Sequence, residues 1–167
     1  GYYKFSLKDG KLTKLIIGDY RYANLVKARN TDIFLFTRES FREFPDVWKT
    51  DLSFASPKKL SNANPQMQKY FWGTVERVHW TSVDNIPLEG LLYKPEGFDP
   101  KKKYPLLLVI HGGPTGIDIP HPTTGSVYPI MHWVEKGALV LRVNYRGSAG
   151  YGEKFRSLNV RNLGVGD

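Results

Sequence analysis

Over the first 70 residues, apolar and polar positions alternate in short runs separated by turn residues. Tyr2–Leu7 and Leu12–Ile17 flank Lys8-Asp9-Gly10, and Arg21–Ala28 and Asp32–Thr37 flank Arg29-Asn30. A period of two, punctuated by Gly, Asn and Asp, predicts antiparallel hairpins. Phe44-Pro45-Asp46 interrupts the pattern, Val47–Leu52 resumes it, and Asn62-Ala63-Asn64-Pro65 breaks it again. A helical period of useful length is absent. The expectation for residues 1–70 is a β-sandwich or the C-terminal blades of a β-propeller.

The texture changes from Val75. Val75–Ser82 and Leu88–Tyr93 alternate around an Asp84-Asn85 turn. Leu106–Ile110 is apolar at every position, the pattern of a strand covered on both faces. Ala138–Val143 reads as a second buried strand. Between them, Ser126 stands where it would cap a helix over Val127–Lys136, with Gly137 as its stop. Glu153–Asn162 predicts another helix. Strand, glycine-rich loop and helix, twice over, is the order of a parallel α/β sheet. It predicts that the two apolar strands are parallel neighbours joined by the first helix. The chain thus reads as two domains, 1–70 and 71–167, with the boundary near residues 64–74.

Composition narrows the function classes. The chain has 167 residues, 41% hydrophobic and 24% charged, which fits a folded domain rather than a disordered one. The absence of cysteine excludes disulfide scaffolds, cysteine-ligated zinc and cysteine nucleophiles. It fits cytoplasm and periplasm equally, so localisation stays open. No apolar run approaches the ~18–20 residues of a membrane span. The net charge of +8 raises nucleic acid as a partner, but Lys and Arg are scattered. The one tight run, Lys101-Lys102-Lys103, lies between Asp99-Pro100 and Tyr104-Pro105, and reads as a solvated loop. Neither a membrane nor a nucleic acid is therefore expected. The chain begins Gly1-Tyr2-Tyr3 without Met and stops at Asp167, and the expectation is a piece of a longer protein.

Two loops carry candidate chemistry. His111-Gly112-Gly113-Pro114 follows the LLLVI strand directly. Two glycines at the carboxyl end of such a strand place bare backbone where open α/β sheets bind ligands. Their N–H groups can turn toward a substrate oxygen, as in the His-Gly-Gly loops of α/β-hydrolases. The other reading is a tight turn that needs positive φ. The second loop is Asn144-Tyr145-Arg146-Gly147-Ser148-Ala149-Gly150-Tyr151-Gly152. It is no nucleophile elbow, because Arg146 stands where Gly-x-Ser-x-Gly needs glycine, and it lacks the Gly-Lys-Ser/Thr of a phosphate loop. The histidines, His79, His111, His121 and His132, have no chelating spacing. His79 reads as structural, His132 as packed within its helix, and His121 as a loop residue.

These motifs together resemble the prolyl oligopeptidase family, in which a β-propeller precedes an α/β-hydrolase peptidase domain. The likeness is to the acylaminoacyl-peptidase and dipeptidyl-peptidase-like branch. It runs in order through Pro45-Asp46-Val47-Trp48, Leu60–Pro65, Leu88–Pro95, Tyr104-Pro105, His111–Pro114 and Asn144–Gly152, and covers the chain from about Ile33 onward. The family's Asp-Gly turn is Asp84-Asn85 here. The resemblance implies a fragment: C-terminal propeller blades in 1–70 and the N-terminal part of the hydrolase domain in 71–167. Family members carry their serine elbow, and then Asp and His, beyond the second loop, and no serine of this chain has that spacing.

The resemblance further implies a serine-type peptidase acting on peptides by acyl transfer. This chain would supply the oxyanion loop through the backbone of Gly113, and less directly Gly112. His111 would brace that loop. Arg146 would hold the second loop or line the substrate pocket. No metal or organic cofactor is implied, and the partners would be a peptide substrate and the remainder of the protein's own hydrolase domain and propeller. An α/β-hydrolase esterase, or a non-catalytic propeller or binding module, are the alternatives. A serine elbow in the sequence following Asp167 would separate the enzymes from a binding module.

Overall fold

The computed structural model describes residues 1–70, 72–121 and 128–167, and the chain divides into two compact units, Gly1–Tyr70 and Phe71–Asp167. The first unit is all β. Strands β1 (Tyr2–Phe5) and β2 (Leu12–Ile16) form a hairpin. Strands β3 (Arg21–Lys27), β4 (Ile33–Glu39), β5 (Asp46–Asp51) and β6 (Lys58–Lys59) form a four-stranded antiparallel meander in chain order. Strands β1 to β5 follow the alternation read from the sequence, β6 is not among the strands read there, and β3 carries a bulge between Ala23 and Val26, where Asn24 adopts φ 53°. The bulge is held by Thr37, whose hydroxyl donates to the Ala23 carbonyl and accepts from the Asn24 amide.

Aromatic side chains make the core of this unit. Tyr2 of the hairpin meets Tyr22, Phe36 and Phe54 of the meander with ring centroids 5.8–5.9 Å apart. Phe36 is almost fully buried. Tilted and edge-on ring contacts of this kind add about 0.5–1.5 kcal/mol each beyond the buried area. On the same face of β4, two residues beyond Phe36, the Arg38 guanidinium lies over the rings of Tyr20, at 4.0 Å, and Trp48, at 3.7 Å. Asp46, at the start of β5, is buried. Its carboxylate accepts from the Ser61 hydroxyl (2.6 Å), the Ala63 N–H (2.9 Å) and the Lys59 ammonium (2.7 Å). Burial alone would raise the Asp46 pKa; the bonds from Lys59, Ser61 and Ala63 outweigh it and hold the carboxyl below its ordinary value.

The second unit is built on one sheet. Strands β7 (Thr74–Thr81), β8 (Pro87–Lys94), β9 (Leu106–Ile110) and β10 (Leu139–Asn144) stand in the order β7-β8-β10-β9. The neighbours β9 and β10 run parallel, Leu106 opposite Leu139 through Ile110 opposite Val143, as the apolar runs predict. The sheet is mixed rather than wholly parallel, because β8 pairs antiparallel with both β7 and β10. Helix α1 (Ile130–Glu135) lies between the parallel strands in sequence and packs against β10 through buried Ile130 and Val134. It ends at Gly137, φ 85°, whose N–H bonds the Val134 carbonyl while the Ala138 N–H bonds that of Trp133. That paired closure requires a left-handed residue, hence glycine. Ser126 and Val127 lie outside the described residues; Tyr128 and Pro129 are not helical, so the helix begins at Ile130 rather than at the predicted Val127.

Three expectations need correction. Strand β9 is not covered on both faces: Leu106, Leu108 and Ile110 are 57%, 55% and 59% exposed. It is the edge of the sheet, so only β10 flanks it, and one set of alternate side chains faces no partner element. The second helix is shorter than Glu153–Asn162; α2 (Glu153–Arg156) passes at once into a 3-10 turn over Ser157–Asn159. His132 is exposed on α1, edge-on to Trp133, because the buried stripe of so short a helix is used up by Ile130 and Val134.

Candidate functional site

The two glycine-rich loops leave the carboxyl ends of the parallel strands β9 and β10, side by side. Parallel pairing makes this unavoidable, since both strands end at the same edge. Residues Gly112 to Thr115 are exposed. Gly113 has φ 60°, a conformation that side chains with a Cβ rarely adopt, and the space around a Cβ at Gly112 or Gly113 is open. Among the described residues the Gly113 N–H donates to nothing, while its carbonyl accepts from Gly116 N–H at 2.6 Å. The loop is therefore folded on itself by its carbonyl and presents a free donor.

His111 is turned inward. Its ring stacks on Tyr145, 4.6 Å between centroids, and its Nε2 lies 3.2 Å from the hydroxyl of Ser148, which is fully buried. The Tyr145 hydroxyl donates to the His111 carbonyl at 2.9 Å. The Tyr145 pKa is raised, first by burial and then by the charges of Asp167 and Asp118, so the phenol stays a neutral donor. The Ala149 N–H donates to the Gly116 carbonyl at 3.0 Å. The second loop is thus the floor on which the first rests.

Arg146 points away from this floor. Its two terminal nitrogens grip the Asp84 carboxylate at 2.6 and 3.0 Å, across the β7–β8 turn. Hydrogen bonds from Ser82 and then from Arg146 hold the Asp84 carboxyl below its ordinary value. The same turn is tight at Asn85, φ 62°, so Asp84-Asn85 serves where Asp-Gly would. The guanidinium is engaged by a carboxylate of its own unit.

Beneath the loops lies a buried polar cluster that the sequence did not single out. Arg142 pairs with Asp118, and Asn144 reaches the main chain of the same Asp118. Arg142 and Asn144 are two apart on β10 and so share a face. The one available sequence signal is a polar pair at the end of an otherwise apolar strand. His79 sits in β7, exposed, with Nδ1 3.7 Å from the Glu89 carboxylate, and His121 lies in the loop after β9. Among the described residues, no three His, Asp or Glu side chains come together as a metal site would need. An apolar hollow of about 540 Å³ runs along β9 and α1, lined by Leu107, Val109, Ile130, Trp133 and Val140. Tyr128 brings the one phenol to an otherwise apolar lining, and none of His111, Gly112, Gly113 or Pro114 lines it.

No family model matches the chain. It is 32% identical over 101 residues to the uncharacterized peptidase YuxL of Bacillus subtilis, covering 59% of this chain and 14% of that protein. It is 25% identical over 159 residues to dipeptidyl-peptidase 5 of Porphyromonas gingivalis, covering 92% of this chain and 22% of that one. Its fold matches part of the acylaminoacyl peptidase of Pyrococcus horikoshii with a TM-score of 0.75 and 23% identity, over 95% of this chain and 24% of that one. The homologues of the chain fall in the prolyl oligopeptidase family of serine peptidases. Its relatives there are dipeptidyl-peptidase 5 and acylaminoacyl peptidase, and it spans about a quarter or less of the length of these three matches.

Proposed function

We propose that this chain is the joining stretch of a serine peptidase that hydrolyses peptides. Residues 1–70 are the last blades of its β-propeller, and residues 71–167 begin its α/β-hydrolase domain. The antiparallel meander of the first unit and the parallel pair with its glycine loops in the second support this division. The remainder of the hydrolase domain covers the open edge of β9 and brings the nucleophile, its base and the orienting acid. The substrate class is carried over from the peptidases to which the chain is related.

The observation that carries the reading is the free Gly113 N–H at the carboxyl end of β9. In acyl transfer the serine oxygen bonds the carbonyl carbon, and the carbonyl electron pair moves onto oxygen. A fixed N–H donor stabilises that oxyanion more than the uncharged carbonyl, which lowers the barrier and not merely the binding energy. The C–N bond then breaks, the amine leaving with the proton the base had taken, and water releases the acyl group. Gly112 stands beside Gly113 as a second backbone donor, His111 braces the loop, and Arg146 holds the second loop through Asp84.

The test is the full-length protein assayed on peptide amides and on short acyl esters lacking a peptide. The proposal expects fluorophosphonate labelling and a kcat/KM for peptide substrates well above that for simple esters. A preference for the esters favours the esterase alternative. Absence of both turnover and labelling favours a binding module.

A further inference from the structure

Gly113 can act only if the loop that carries it is held still, and the hydrogen bonds beneath that loop converge on one side chain. Asn144 ends β10 and is 1% exposed. Its Oδ1 accepts the Asp118 N–H at 2.7 Å, and its Nδ2 donates to the Asp118 carbonyl at 2.9 Å. The carboxamide thus pairs with the main chain of the first loop as a neighbouring peptide would in a sheet, satisfying two buried backbone groups. The second hydrogen of Nδ2 reaches the Tyr151 hydroxyl at 2.9 Å, and that hydroxyl donates to Glu89 Oε1 at 2.6 Å. The Tyr151 pKa is raised, first by burial and then by its bond to Glu89, which keeps it the donor in this contact.

The series Glu89–Tyr151–Asn144–Asp118 ties strand β8, the second loop, strand β10 and the first loop together. Every direction in it is set. Glu89 accepts, so Tyr151 must donate to it and accept from Asn144; Nδ2 therefore faces Tyr151 and the Asp118 carbonyl, and Oδ1 faces the Asp118 N–H. Aspartate cannot replace Asn144, having no donor for the Asp118 carbonyl, and alanine leaves two buried main-chain groups unpaired.

We propose that Asn144 is a positioning residue for the oxyanion loop, fixing Gly113 through the main chain of Asp118, with Tyr151 holding the Asn144 carboxamide in its working orientation. This rests on the peptidase reading above. A loop displaced by about 1 Å loses on the order of a hundredfold in rate. The effect falls on the transition state, because the oxyanion exists only there.

The experiment uses the full-length protein, its Asn144→Ala, Asn144→Asp and Tyr151→Phe variants, peptide substrates and a peptidyl trifluoromethyl ketone. The ketone forms a tetrahedral oxyanion with the active serine. Asn144→Ala and Asn144→Asp are expected to lose about ten- to a hundredfold in kcat with KM within about twofold, and Tyr151→Phe a few-fold. Affinity for the ketone should fall in step with kcat/KM, while affinity for a substrate-like peptide product stays. A merely structural role would lower the amount of folded enzyme without altering that ratio in the folded fraction. Unchanged kcat in a folded Asn144 variant overturns the proposal. Should both Asn144 variants fail to fold, Tyr151→Phe decides, and unchanged kcat and ketone affinity there overturn it too. A wild-type protein that neither cleaves peptides nor takes up a fluorophosphonate overturns the peptidase reading itself, a distinct outcome from an active enzyme indifferent to Asn144.

Discussion

Gly113 joins two requirements in one residue: a left-handed backbone and a free N–H. Substitutions separate them. A Cβ there meets open space, so Gly113→Ala keeps the donor and pays mainly for the conformation, about 1–2 kcal/mol. Proline removes the donor and also forbids positive φ. In the full-length protein, Gly113→Pro is expected to lose about 10²–10³ in kcat and Gly113→Ala much less. Steady-state kinetics on a peptide substrate, with circular dichroism to establish folding, measures this. Equal losses in the two variants would mean that conformation, not the donor, is what matters. The His-Gly-Gly-Pro run was legible in the sequence because all its chemistry is contiguous. Its supports were not: Ser148 lies 37 residues from His111, and Asp84 lies 62 from Arg146. Pairings at such separations leave no local pattern.

At the scale of elements, the strands follow from alternation and turn residues, and β1 to β5, β7 and β8 fall within a residue or two of their sequence limits. What periodicity leaves undetermined is which neighbours a strand has. LLLVI is apolar throughout, yet the face that carries Leu106, Leu108 and Ile110 is left open. The polar fastening of β5 and β6 was equally hidden, because Asp46 reads as a turn residue after Pro45. Its depressed pKa makes a prediction for pH. The carboxylate contributes stability above its unfolded pKa, near about 3.9, and that contribution is lost as pH falls through the lower folded value. Asp46→Asn is expected to destabilise the first unit by about 1–3 kcal/mol near neutral pH and to flatten the acid limb of its stability. Urea denaturation of the chain between about pH 3 and 7 tests this, and an unaltered acid limb in the variant would assign the dependence elsewhere.

For the whole molecule, the claim is that oxyanion stabilisation and nucleophilic attack reside in different stretches of one protein. This chain holds a donor loop and its floor, and none of its serines has the elbow spacing. Ser148 shows the distinction. It lies 3.2 Å from a histidine ring nitrogen, as a nucleophile would, yet it is fully buried and no carbonyl can reach it. The pair is a fastening between loops. A donor loop without an attacking group has no transition state to stabilise. The most direct measurement is therefore fluorophosphonate labelling of residues 1–167 expressed alone, beside the full-length protein. The account predicts one labelled serine per full-length molecule, with the site outside 1–167, and no stoichiometric labelling of the isolated chain. A serine within 1–167 that labels stoichiometrically, with turnover of a chromogenic peptide ester that disappears when it becomes alanine, would contradict it.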